Sequence, residues 1–297
     1  MVASLDAQAV LRYRQDGFRF PHRVLAPEAA AGVAAQIMAF AAGDIPARYP
    51  DPHNQLLLLK AYLLFAWADR LAHDDALLDA VQSLIGPDIL LWSSGVFWKA
   101  PGTGSHVSWH QDATHFELEP PDAVVRAWLA LTPATLGNGT MRFLPGGHRL
   151  GAVAHVDRMT DGELLSRGET MAMAIDDSRT VPVVIEAGEV SFHHLFAPHA
   201  SGPNASNAPR VNYVMTFVAP SVKPRVGRDS AMLVRGADRF GHFVCEARPR
   251  AFATADALRA HERAMALRYA ILFRGAVAPP LPVHDPDVWS GVPREPA

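Results

Sequence analysis

Apolar residues recur at helical spacing through the first part of the chain. The stretch LDAQAVLRYRQDG predicts a helix over 5–17, with its arginines and glutamine turned outward and Gly17 at its end. GFRFPHRVL then alternates apolar and polar residues, the period of a short strand. An alanine-rich helix follows in APEAAAGVAAQIMAFAAG, opened by Pro27 and closed by Gly43. PARYPDPHN reads as a loop, and two more helices are expected over 55–72 and 74–85. At Pro87 the period changes. DILLWSSGVFWKA reads as a strand, broken by Pro101, Gly102 and Gly104. VSWHQDA, VVRAWLAL, TMRFLP, TVPVVIEA, EVSFHHLF and RVNYVMTFVA follow as short β-prone runs separated by Gly, Pro and Asn. A helical insertion is expected around 161–167 and a C-terminal helix over 256–273. This order predicts a mainly β protein with flanking α-helices, its core a sandwich or barrel of the jelly-roll kind. Without a linker or internal repeat, one domain is expected over 1–297, with a helical part at 1–86, a β core at 87–222 and a closing loop and helix at 223–297.

Composition narrows the class. The 297 residues are 49% hydrophobic and 19% charged, which is globular rather than disordered. A net charge of −3 leaves no electrostatic footprint for nucleic acid. The single cysteine, Cys245, allows no intrachain disulfide. The opening residues lack a basic segment followed by an apolar one, and the apolar runs fall short of a membrane span. The expectation is a cytoplasmic protein acting on a small molecule, with no nucleic-acid or membrane partner. Nothing in the sequence specifies an oligomeric state.

Candidate chemistry lies in VSWHQDATHFEL. His110 and Asp112 are two residues apart, so on an extended strand both would face one point. The chain holds three other such triplets: His73/Asp75, His115/Glu117 and His155/Asp157. The first sits at a helix junction, where Asp74 and Asp75 read as N-cap and first-turn residues. The second is out of phase with His110/Asp112, and the third reads as a surface loop. A third ligand would come from His193, His194 or His199 in EVSFHHLFAPHASGPNASNAPR. Since neighbouring strand residues face opposite ways, at most one of His193 and His194 can look inward. Two imidazoles and one carboxylate on one face of a metal fit non-haem Fe(II). One cysteine cannot close a structural zinc site, no HExxH pattern is present, and neither GxSxG nor Walker A occurs. A zinc hydrolase is the weaker alternative.

Taken together, WHQD, AWLALTPAT, NGTMRFLPGGHR and AGEVSFHHLFAPHASGPNASNAPR resemble the phytanoyl-CoA dioxygenase family of Fe(II)/2-oxoglutarate oxygenases, in the family's order from about Phe97 to Phe217. YRQDGFRF also resembles the family's helix–strand opening. The resemblance implies a double-stranded β-helix (cupin-like) core. It implies His110, Asp112 and His199 as Fe(II) ligands and Arg210 as the residue gripping the far carboxylate of 2-oxoglutarate, a task suited to a planar guanidinium. Ser201 and Trp128 stand where the family has further co-substrate contacts, and Lys99 matches a basic position before the metal strand. The implied reaction consumes O2 and 2-oxoglutarate, releases succinate and CO2, and hydroxylates a C–H bond. Related halogenases lack the carboxylate ligand, so Asp112 argues against halogenation.

His115 and Phe116 are placed to line a substrate pocket, and GRDSAMLVRGADRFGHF, residues 227–243, reads as a lid. SRGETMAMAIDDSRTVPVVIEAGEVSFHH together with DSAMLVRGADRFGHF resembles a bacterial subgroup that includes aminoethylphosphonate dioxygenases, which implies a small polar, charged or uncharged, substrate rather than a long acyl-CoA. The competing class is a non-catalytic, metal-binding binding or sensor module on the same barrel. His148 in PGGH and Cys245 read as structural.

Overall fold

The computed structural model describes residues 4–41, 58–114, 116–165, 167–252 and 254–274. Its strands are β1 (Phe18–Arg23), β2 (Ile89–Lys99), β3 (Val107–His110), β4 (Leu118–Glu119), β5 (Val124–Ala130), β6 (Met141–Phe143), β7 (His155–Asp157), β8 (Glu169–Met171), β9 (Val181–Pro182), β10 (Glu189–His194), β11 (His199–Ser201), β12 (Arg210–Val218), β13 (Lys223–Pro224), β14 (Ser230–Arg235) and β15 (Val244–Cys245). They form the two sheets of a jelly roll: a larger one in the order β1-β10-β5-β12-β2-β14-β15 and a smaller one in the order β3-β11-β6-β9. Two small pairs, β4-β13 and β7-β8, lie outside them. This is the mainly β architecture expected from the sequence.

The larger sheet has two jobs, divided by the strand period. On β12, Val211, Tyr213, Met215 and Phe217 pack into a core shared with the helices, while Arg210, Val214 and Thr216 line an internal cavity. On β5, Val125, Ala127 and Leu129 face the helices, and Arg126 and Trp128 face the cavity. Every residue of β12 is buried, because helices cover one face and the barrel interior lies at the other. Each large apolar side chain buried on the helical face contributes roughly 1.5–3 kcal/mol.

The helices are α1 (Ala7–Asp16), α2 (Pro27–Ala41), α3 (Ala66–Ala72), α4 (Asp75–Ile85) and α5 (Ala255–Leu272). Asp6 caps α1, accepting from Ala9 N, and Gly17 ends it at φ 84°, a left-handed conformation that favours glycine. Asp74 caps α4 by accepting from Leu77 N, as its place in the sequence predicts. No helix among the described residues is long and apolar enough to cross a membrane.

Four expectations are corrected. The helix over 55–72 is broken: Lys60 stands at φ 48°, a 3-10 turn spans Ala61–Leu63, and α3 begins only at Ala66. Residues 55–57 lie outside the described residues. The cause is Lys60 itself. Its buried ammonium donates to Trp92 O (2.8 Å) and Ser230 O (2.9 Å) and pairs with Glu246 Oε1 at 2.5 Å. The insertion around 161–167 is a turn, not a helix. Gly162 at φ 83° abuts the Gly104 carbonyl, and the Glu163 side chain accepts from Ser108 N and Leu164 N. Within the stretch 227–243 expected as a lid, Ser230–Arg235 instead forms β14, which pairs antiparallel with β2 inside the larger sheet. His155 and Asp157 lie on β7, paired with β8, rather than on a loop.

α5 is fastened to the Lys60 turn by His261, whose Nε2 donates to Leu59 O at 2.8 Å. Burial, reinforced by Lys60 and opposed by the Leu59 carbonyl, lowers this imidazole to about 4. An unfolded histidine titrates near 6.5, so the unfolded chain binds the extra proton first on acidification. The stability this neutral ring contributes is fully present above pH ~6.5 and is lost as pH falls toward ~4, by on the order of 3 kcal/mol. Urea unfolding at a series of pH values should therefore show a shallower acid loss for His261→Gln than for the wild type; parallel curves would remove His261 as the cause.

Candidate active site

Asp112 does not share a strand with His110. β3 ends at His110, and Asp112 sits in the turn that follows, so the two converge through a turn rather than through the strand period. The intervening Gln111 explains the turn. It is 2% exposed, and its side-chain amide donates to Gly151 O (2.8 Å) and Phe196 O (2.9 Å) and accepts from Val153 N (2.8 Å). Thr114 Oγ1 donates back to Gln111 O at 2.8 Å. Gln111 therefore fixes the direction of the chain on either side of it.

His199 arrives on β11, a short strand not among those expected from the sequence. In the antiparallel pairing it lies opposite His110, with ring centroids 4.1 Å apart. His110 Nε2 is 3.6 Å from Asp112 Oδ1, and His199 Nε2 is 3.7 Å from Asp112 Oδ2. The three ligand atoms lie within 4.8 Å of one another. Each ring is turned by its other nitrogen: His110 Nδ1 donates to Ser108 O at 2.9 Å and His199 Nδ1 to Ala197 O at 3.0 Å. A carbonyl only accepts, so Nδ1 carries the proton and Nε2 presents a lone pair to the carboxylate. Three acceptor groups converging in a buried space is an arrangement that a cation resolves. Two nitrogens, one oxygen and no thiolate suit Fe(II).

Other charged groups tune this cluster. Burial works against charge on both rings. At His110 the Asp112 carboxylate overcomes it and holds the ring above its ordinary value; at His199 burial and the neighbouring His110 keep it well below. Burial also opposes the Asp112 anion, but Arg126 and His199 outweigh it and hold the carboxyl well below its usual range. Arg126 Nη1 reaches Asp112 Oδ1 at 2.6 Å, and His193 Nε2 lies 3.1 Å from Asp112 Oδ2. His193 is thus the inward member of its pair, while His194 points to Asp122.

The other end of the cavity holds Arg210, Ser201 and Trp128. Arg210 is 3% exposed, and its Cζ lies 5.5 Å from the Trp128 ring centre. One Nη donates to Gly139 O, and its buried Nε has no hydrogen-bond partner among the described residues. Gly139 is required there: at φ 70°, a Cβ would stand 2.2 Å from the Gly202 carbonyl oxygen. Lys99 lies opposite Arg210 in the strand register but does not line the cavity. Its ammonium donates to Ser201 Oγ (2.7 Å) and Ser201 O (3.1 Å), and burial together with Arg210 lowers it to about 6. Lys99 therefore orients Ser201 instead of facing a ligand. A guanidinium with an idle Nε, with a hydroxyl oriented by Lys99 nearby, fits the far carboxylate of a dicarboxylate. Phe116 lines the cavity edge-on to Trp92 at 5.0 Å. His115 lies outside the described residues.

A jelly roll carrying these groups on its inner face defines the class of non-haem Fe(II)/2-oxoglutarate oxygenases. The chain belongs to the phytanoyl-CoA dioxygenase family, whose profile matches residues 13–212. It is 38% identical to a solved structure described as the non-heme monooxygenase ThoJ in its apo form, covering 90% of this chain and 98% of that one with a TM-score of 0.78. It is 35% identical over 135 residues to phytanoyl-CoA dioxygenase domain-containing protein 1 of Danio rerio, 45% of each chain. It is 29% identical over 169 residues to a probable alpha-ketoglutarate-dependent hypophosphite dioxygenase of Stutzerimonas stutzeri, 56% of this chain and 58% of that one. The match thus spans about half the length of these curated relatives.

The sequence does not single out Gln111 or Arg126 for the site, and it leaves open which of His193 and His194 looks inward. The role of His193 has a test. His193→Ala should weaken metal binding about 10- to 100-fold without abolishing it, the usual effect of losing a ligand's hydrogen-bond partner. His193→Gln, which can keep a donor near Asp112, should recover part of the loss in a metal-competition titration. Equal affinity in the wild type and His193→Ala would show that Asp112 needs no such support.

Proposed function

We propose that this chain is an Fe(II)- and 2-oxoglutarate-dependent dioxygenase that hydroxylates a small polar metabolite at an unactivated C–H bond. The observation that carries the reading is the convergence of His110 Nε2, His199 Nε2 and an Asp112 oxygen within 4.8 Å. In this reading those three hold Fe(II), and Arg210, with Ser201 and Trp128, holds 2-oxoglutarate. When bound, the metal and co-substrate with O2 supply a hydrogen-abstracting oxidant and release succinate and CO2. The protein's own contribution is positional. The backbone carbonyls of Ser108 and Ala197 aim the imidazoles, Arg126 and His193 hold the carboxylate, and Gln111 pins the turn. Phe116 and Trp92 bound the space left for the substrate and help exclude water from it. Residues 1–86 and 223–297 belong with the β core to one domain. The exposed free thiol of Cys245 fits a reducing, cytoplasmic location.

Titrating the protein with Fe(II) and 2-oxoglutarate under argon should produce a metal-to-ligand charge-transfer band before any substrate is known. Absence of the band in folded, iron-loaded protein would defeat the proposal and favour a non-catalytic binding module. Alanine at His110, Asp112 or His199 should abolish both band and turnover. Arg210→Ala should raise the 2-oxoglutarate requirement on the order of ten- to over a hundredfold, the effect of losing a charged hydrogen-bond partner. An unchanged requirement would remove Arg210 from the site.

A further inference from the structure

α5 carries a guanidinium into the same cavity. Arg268 is 4% exposed, with its Cζ 3.7 Å from the Trp92 ring centre and 4.8 Å from that of Phe116. Nη2 donates to Trp92 O at 3.1 Å. Nη1 stands 3.3 Å from Asp229 Oδ2 yet makes no hydrogen bond. That carboxylate is already engaged by Trp92 Nε1 and Ser230 N, each at 2.8 Å. The aromatic rings hold the guanidinium plane, and one N–H group is left idle where Arg268 borders a cavity of about 190 Å³. Arg126 borders the same cavity, and its buried Nε also lacks a partner. In the oxygenase reading Asp112 shares its charge with a metal, which leaves Arg126 less fully compensated. By contrast, Lys60 is fully paired with Glu246 and offers a ligand nothing.

We infer that Arg268, with Arg126 beside it, binds an oxyanion of the primary substrate: a carboxylate, phosphonate or phosphinate on a molecule small enough for this cavity. A planar fork stacked on aromatic rings suits two oxygens of one such group. Arg268 lies beyond residue 212, where the family profile ends, so this recognition belongs to the C-terminal helix and not to the shared core. The inference deepens the oxygenase reading and rests on it, because it takes this cavity as the substrate's.

Calorimetric titration of protein loaded with Fe(II) and saturating 2-oxoglutarate under argon tests it, with acetate, methylphosphonate and neutral acetamide as probes. At least one anion should bind, and acetamide at least tenfold more weakly. The tighter anion identifies the oxyanion. Arg268→Gln should weaken the anion on the order of ten- to a hundredfold and leave the 2-oxoglutarate band unchanged. Should Arg268→Gln fail to fold, Arg268→Lys decides: it keeps the charge but loses the fork, so binding should still weaken several-fold. Anion affinity equal to wild type in the folded variant, or no anion binding to wild type that shows the band, overturns the inference and leaves the oxygenase reading intact. A wild type without the band removes both.

Discussion

Burying the Asp112 carboxylate is the constraint on which the rest of this structure depends. An isolated carboxylate in a protein interior costs several kcal/mol unless it is paired and hydrogen-bonded. Here the groups that surround it come from four strands, and Arg126 and His193 compensate its charge. His110 ends β3, His199 opens β11, Arg126 sits on β5 and His193 on β10. The first two strands belong to the smaller sheet and the last two to the larger. One anion can be satisfied only when both sheets are in register and closed upon each other. The site and the fold are therefore one packing problem, and the outward-facing apolar residues of β5 and β12 fix the arrangement by docking it against the helices.

That division of labour explains what the sequence reveals. Strand runs such as VVRAWLAL and RVNYVMTFVA are legible because β-branched and aromatic residues fill both faces of a covered sheet. Helix ends at Asp74 and Gly17 are legible because capping is a local matter. The resemblance to a known family brought His110, Asp112, His199 and Arg210 forward, and all four line one cavity. The strand-phase argument for His110 and Asp112 reached a true convergence through the wrong geometry. The turn is made by Gln111, whose hydrogen bonds go to residues some 40 and 85 positions away.

The remaining misreadings share that cause. Lys60 looks like a solvated lysine on a helix, yet its partners are Trp92, Ser230 and Glu246, and the backbone bends to deliver it. Glu163 reads as a helix former but spends its carboxylate on β3. β14 reads as part of a lid because Arg, Asp and Gly flank it, while its buried Met232 pairs with Leu91 of β2 in the larger sheet. The first two cases are polar side chains whose partners lie far away in the chain. No periodicity records such a pairing, since one contact leaves no repeat.

The distribution of charge inside the barrel follows from this economy of partners. Glu246 and Asp229 lie on the side of the cavity formed by Lys60, Trp92 and α5. Lys99 and Arg210 face each other across two strands, and among the described residues no carboxylate pairs with either. Polar groups buried side by side are costly unless fully hydrogen-bonded. A core evolved for stability alone would replace them with apolar residues of similar volume. Keeping a buried guanidinium with an idle Nε opposite an amine that burial and this guanidinium hold near neutrality, and that orients a serine, makes sense where an anion arrives to complete the set. Asp112 and Arg210 are then complementary halves of one design: a buried anion that awaits a cation, and a buried cation that awaits an anion. The cavity between them is the space in which both are satisfied at once.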